Sequence, residues 1–154
     1  MGIYGTLLFK QKTGYPMLAF GILSGVEGIF SDASSNEELR YVGINEFAPK
    51  DTCSKGQMGS LWPFMEDYEG ECALNQAKFK YDGHAFFKDR NSPAQLIDNE
   101  GDYGESILDR SISIYGTESK DALNIDACCK IEEIEKAEFR KLTREYKIQK
   151  RDIK

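Results

Sequence analysis

The sequence predicts an α+β domain, an antiparallel, aromatic-rich sheet built from hairpins with a C-terminal amphipathic helix packed on one face. Three observations predict it. Runs of β-branched and aromatic residues alternate with Gly, Pro and Asp punctuation as far as Tyr115. Beyond that point the spacing becomes helical: at about 100° per residue, Ile131, Ile134, Phe139, Leu142, Tyr146 and Ile153 share one arc. Finally, 9 Phe and 8 Tyr in 154 residues give a core-forming content that disordered chains lack.

In chain order, Ile3 to Lys10 forms a strand, Lys12-Thr13-Gly14-Tyr15-Pro16 a turn, and Met17 to Leu23 the returning strand. Gly21, Gly25 and Gly28 then interrupt the apolar run at intervals that match no dinucleotide or phosphate loop. Leu39 to Phe47 alternates as a strand, although Ser35 and Glu38 could also box a helix start. The segment 48–60 is loop-rich. In Lys78 to Phe87, Asp82-Gly83 between aromatic strands has the composition of a type I′ hairpin, a register that pairs Tyr81 with His84 and Phe79 with Phe86. Ser92-Pro93 predicts a cap and a short helix over Ala94 to Asp98. Ile112 and Ile114 share one face of a strand whose other face carries Ser111, Ser113 and Tyr115. The last element is a helix over about 126–152, its acids first and its bases last, the order the helix dipole favours.

The chain has the length of one globular domain, residues 1–154. Cys53, Cys72, Cys128 and Cys129 are expected to be free thiols, since adjacent cysteines at a helix start suit no disulfide framework. With no secretory leader and no apolar run of the ~20 residues that a bilayer requires, the expected location is the cytoplasm, off the membrane.

Charge is divided along the chain. Residues 140–154 carry a net +5 within a total of −6, which leaves −11 for the rest. An acidic body disfavours nucleic acid and suits a partner protein with a basic surface. The segment that would meet it is Trp62-Pro63-Phe64-Met65-Glu66-Asp67-Tyr68-Glu69-Gly70-Glu71. There Trp62, Phe64 and Tyr68 would supply contact area, and Glu66, Asp67, Glu69 and Glu71 would steer approach. The competing account packs Trp62 and Phe64 in the core. A secondary basic surface, Arg140, Arg144, Lys147 and Arg151, lies opposite the apolar arc of the helix and could face phosphates, an acidic surface of a twin subunit in a homodimer, or only solvent.

No nucleophile motif or cofactor loop is present. His84, the single histidine, has no patterned partner, and zinc from Cys53, Cys72, Cys128 and His84 lacks any Cys-x-x-Cys pair. Asp98, Asn99, Glu100 and Asp102 approach a calcium loop, but its glycine and terminal Glu are misplaced. Neither a metal nor a cofactor is expected. The leading expectation is a non-enzymatic, protein-binding or inhibitor-type protein, of the immunity or anti-defence kind. The alternative is a small-molecule or nucleotide-binding protein or enzyme with a pocket between sheet and helix, lined by Phe79, Tyr81, His84 and Phe86.

Overall fold

Strand formation follows the β-branched and aromatic runs, and the pairing partners decide the architecture. The computed structural model describes residues 3–25, 37–64, 75–80, 83–92, 94–98, 105–115 and 125–153. Its elements are β1 (Ile3–Lys10), β2 (Met17–Gly25), β3 (Glu37–Asn45), α1 (Lys55–Met58), β4 (Asn75–Lys80), β5 (His84–Ser92), β6 (Ser111–Tyr115), β7 (Ile125–Lys130) and α2 (Lys136–Ile153). The fold is α+β. Sheet A has the order β1-β2-β5 and sheet B the order β4-β3-β6-β7, with every pairing antiparallel.

The opening hairpin forms as predicted. Gly14 takes a positive φ of 84°, Tyr15 N–H bonds the Lys12 carbonyl at 3.0 Å, and β1 pairs β2 from Lys10 opposite Leu18 to Ile3 opposite Gly25. The Asp82-Gly83 hairpin does not form a ladder of its own. Its two strands fall in different sheets, with Phe79 opposite Glu38, Phe86 opposite Ile22, and His84 opposite Ser24. The turn dipeptide is only a local preference. The nine-residue β2 and β3 present larger apolar surfaces, and Ala85 and Phe87 become buried by joining β2. Gly83, at φ 87°, accepts the Gly25 N–H at 2.7 Å where the chain crosses between sheets.

The sheets enclose the core between them. Met17, Ala19 and Leu23 of β2 and Ala85 and Phe87 of β5 share it with Val42 and Ile44 of β3 and Ile112 and Ile114 of β6. On the far side of sheet B, Tyr115 stacks on Tyr41 at 5.9 Å and lies over Gly43, where a Cβ would come within 2.9 Å of its ring. Buried Ser113 donates to Asn45 Oδ1 and Ser111 to the Phe47 carbonyl, so these two serine hydroxyls are satisfied. The far side of sheet A is covered by α2, whose Phe139 and Tyr146 rings sit 6.1 and 5.1 Å from Phe20.

Three predicted features are corrected. Helix α2 begins at Lys136, ten residues later than expected, because Ile125–Lys130 pairs with β6 as β7. Ile131 is buried ahead of the helix and exchanges backbone bonds with Asp109 and Arg110. Ala94 to Asp98 is irregular instead of helical. Ser92 Oγ does accept the Ala94 N–H, but Gln11 Oε1 then takes the amides of Leu96 and Ile97 at 2.7 and 3.0 Å.

The cysteines also differ from expectation. Cys53 and Cys128 form a disulfide across 75 residues, while Cys129 is free and exposed; Cys72 lies outside the described residues. In a strand, neighbouring side chains point to opposite faces, so Cys128 turns toward the 46–58 segment and Cys129 away from it. Among the described residues no helix is long and apolar enough to cross a membrane.

Cross-linking a loop of this length constrains the unfolded chain, so Cys53→Ser is expected to lower unfolding free energy by about 2 to 4 kcal/mol in urea titrations. Cys129→Ser is expected to leave it unchanged. A second expectation concerns Asp89, which faces Ala19 beside the β2 bulge. Burial raises its pKa, since Oδ2 has no partner, and the Asn91 N–H on Oδ1 at 3.3 Å offsets this only in part. A carboxyl raised in the fold costs stability above its folded pKa, and that cost vanishes below the unfolded value of about 3.9. Asp89→Asn should therefore melt higher than the parent at neutral pH, and the two melting temperatures should converge as pH falls.

Candidate functional site

Seven strands in two stacked sheets leave two free edges on one side. Among the described residues, no strand pairs with the outer edge of β1 or of β7. Between these edges, and beside the first turns of α2, opens a groove of about 970 Å³. This is the upper end of the volume of ligand-binding clefts.

Its floor is the inter-sheet core itself, where the half-buried Leu7 and the buried Leu23, Ile112 and Ile114 line it. Its walls are continuous stretches of chain, all of β1 from Ile3 to Lys10 on one side and 127–134 on the other. On a sheet face, alternate residues would line a cavity. Consecutive residues line this one because the strand edge, backbone included, faces it. Tyr4, Ile97 and Ile134 stand on the rim at 61%, 40% and 42% exposure, half of the large apolar side chains that the described residues leave exposed. Such clustering marks a binding surface more strongly than scattered exposure does.

The electrostatics of this region oppose the sign of the body. Lys10, Lys130, Lys136 and Arg140 reach the groove, against Glu132 and Glu133. Lys130 is partly neutralised by Asp109 at 3.7 Å, an exposed pair of small value. Beyond Lys10, the cationic surface continues over the outer face of sheet A. Partial desolvation, together with Arg90, Lys150 and Lys10, holds the Lys88 ammonium below its usual pKa. Like charges gathered in this way form an anion-attracting field.

The structure separates the residues singled out by sequence. Trp62 is 4% exposed and belongs to the core, with its N–H bonded to the Ile44 carbonyl at 2.6 Å, so its ring is not a surface contact. Phe64 is half-buried at a positive φ of 70°, beneath the Arg110 guanidinium at 4.2 Å. That Arg110 also bonds the carbonyls of Ser106 and Glu46 and the Glu105 carboxylate, which fixes it as a structural anchor. Glu66, Asp67, Tyr68, Glu69 and Glu71 lie outside the described residues. Of the basic stripe, Arg140 borders the groove, while Arg144, Lys147 and Arg151 are exposed farther along α2.

The described residues among those expected to line a sheet-and-helix pocket do not border the groove. His84 and Phe86 sit on β5, across β2 from the groove, and Phe79 on β4 in the other sheet; Tyr81 lies outside the described residues. His84 Nδ1 is 2.9 Å from Ser24 Oγ, a contact that follows from their opposed positions in the β2–β5 ladder. Although Cys129 is exposed, partial desolvation and the Glu132 charge push its thiol pKa up, which works against thiolate chemistry. Among the described residues, no three His, Cys, Asp or Glu side chains converge on a metal position. Asp98 instead accepts the Ser106 N–H at 2.6 Å.

Apart from Arg140, the groove residues were not singled out as a site by sequence, although one signal was available. The segment Ile-Tyr-Gly-Thr-Leu-Leu-Phe-Lys is apolar on both faces, carries no proline and has its one charge at the end, unlike a guarded edge strand. No model of a known protein family matches this chain, and no curated protein matches its sequence.

Because Trp62 fills the core, Trp62→Ala is expected to cost about 3 to 5 kcal/mol of stability in a denaturation experiment.

Proposed function

We propose that this chain is a non-enzymatic binding protein of the inhibitor or immunity type, and that its contact surface is the β1–β7 groove with its basic rim. The observation that carries this reading is the coincidence of an open apolar trough, exposed Tyr4, Ile97 and Ile134, and a cationic border in a chain of net charge −6. Trp62 in the core takes the anchoring ring away from the acidic segment, so the partner's complementary surface is acidic where it meets this rim. Association with such a partner is steered by charge and slows as salt rises.

A small-molecule ligand is the second reading, favoured by the cavity volume alone. The Cys53–Cys128 disulfide weighs against the expected cytoplasmic placement, since such bonds persist mainly in oxidising compartments.

The groove is tested with the apolar fluorophore ANS. The parent is expected to enhance its emission. Tyr4→Lys and Ile134→Lys, at exposed positions on the rim, should lose most of the enhancement. Phe47→Lys, at 56% exposure and away from the groove, should retain it. Equal enhancement in all three variants rejects the groove as a binding surface.

A further inference from the structure

We infer that the occupant of the groove is an extended peptide segment of a partner protein, added as a strand to the free edge of β1, with apolar side chains alternating toward the floor and acidic residues toward the rim. The inference rests on the groove being the binding surface.

The argument begins with the backbone. In an antiparallel ladder every second residue directs its N–H and C=O toward one neighbour, and the others direct theirs to the opposite edge. β1 spends one set on β2 along its whole length, from Ile3 to Lys10. The other set faces the groove; among the described residues no strand is hydrogen-bonded to it, and β7 approaches β1 only locally. An apolar small molecule that sealed the groove would strip water from these groups and return no hydrogen bond, a costly exchange for buried backbone. An added strand satisfies them while it buries the apolar floor, which is the logic of β-augmentation.

The geometry of the floor sets the partner's pattern. Side chains of an extended segment alternate, so one set drops toward Leu7, Leu23 and Ile114 while the other emerges beside Lys10, Lys136 and Arg140. Apolar residues suit the first set and Asp or Glu the second. A second copy of this chain fits less well, because its own β1 would bring the same cations to the same rim. β1 itself lacks the usual guards against strand addition: eight residues long, it contains no proline and no charge before Lys10.

The test selects twelve-residue peptides from a random phage library on the intact, oxidised protein, followed by anisotropy with the best synthetic binder. Alternating apolar residues interspersed with Asp or Glu are expected. Backbone N-methylation at alternate residues should weaken the binder about tenfold or more for at least one of the two parities, and Lys136→Glu with Arg140→Glu should do the same. Circular dichroism confirms that the variant is folded. Strand addition is overturned if no peptide is selected, if both methylated forms bind like the parent, or if the charge variant binds unchanged. Palmitate binding that depends on Arg140 where no peptide binds would assign the groove to a small amphiphile, and a dimer in sedimentation that the charge variant preserves would assign it to a second copy. Either result refutes the peptide and leaves the groove reading intact, whereas failure of the ANS experiment removes both.

Discussion

The structure depends on the parting of β4 and β5 into different sheets. These strands are neighbours in sequence, and the Asp82-Gly83 dipeptide between them has the composition of a tight turn, yet β4 pairs β3 and β5 pairs β2. The Gly25-to-Gly83 backbone bond at 2.7 Å bridges the crossing, where glycine supplies the positive φ. Had the hairpin formed its own ladder, the strands would lie in one continuous sheet. Parting them stacks two sheets face to face and allows Met17, Leu23 and Phe87 to meet Val42, Ile44 and Ile114. β1 and β7 would be outermost in either arrangement, but stacking the sheets brings their two edges to one side, where the groove opens between them. Core and groove are two outcomes of one pairing decision.

Free edges would be unstable features without anchors nearby, and the irregular segments supply them. The Cys53–Cys128 bond ties β7 to the segment before α1. Arg110 joins three carbonyl or carboxylate partners to the Phe64 ring, and Ile131 exchanges two backbone bonds with the Asp109–Arg110 corner. On the opposite wall, the Gln11 carboxamide holds Leu96 and Ile97 in place of helical bonds. Each anchor lies beside the groove and not across it, so the cleft stays open between rigid borders. Rigid borders reduce the ordering cost of any association there.

Much of the fold was legible in the sequence where the signal was local. Strands β1, β2, β3 and β6 follow from alternation and turn residues, and Gly14 fulfils the turn its neighbours imply. The hairpin at Gly83 shows the limit: the dipeptide specifies a reversal, not which partner each strand then takes. The start of α2 was misplaced for a related reason, since Ile125–Lys130 carries helix-compatible residues and becomes a strand only because β6 offers it a ladder. Little of the candidate site was legible. Trp62 beside acids suggested a surface, but sequence holds no information about which ring the core absorbs. The groove arises from edges, and an edge is defined by the absence of a neighbour; the unguarded apolar run of β1 hinted at one, but not at which partner its other edge would lack.

Charge placement completes the picture. The net negative charge of the chain keeps general encounters weak, while Lys10, Lys88, Arg90, Lys136 and Arg140 concentrate the opposite sign on one side of sheet A and at the groove. The helix dipole contributes in order, with acids ahead of Lys136 and in its first turn and bases toward its end. An edge strand this apolar would invite indiscriminate pairing in a neutral protein. Cations along its border repel a second copy that carries the same border and admit a segment of opposite charge. In the proposed complex the basic residues thus act on specificity more than on affinity: hydrogen bonding and apolar burial would hold the occupant, and the rim would decide which occupant arrives.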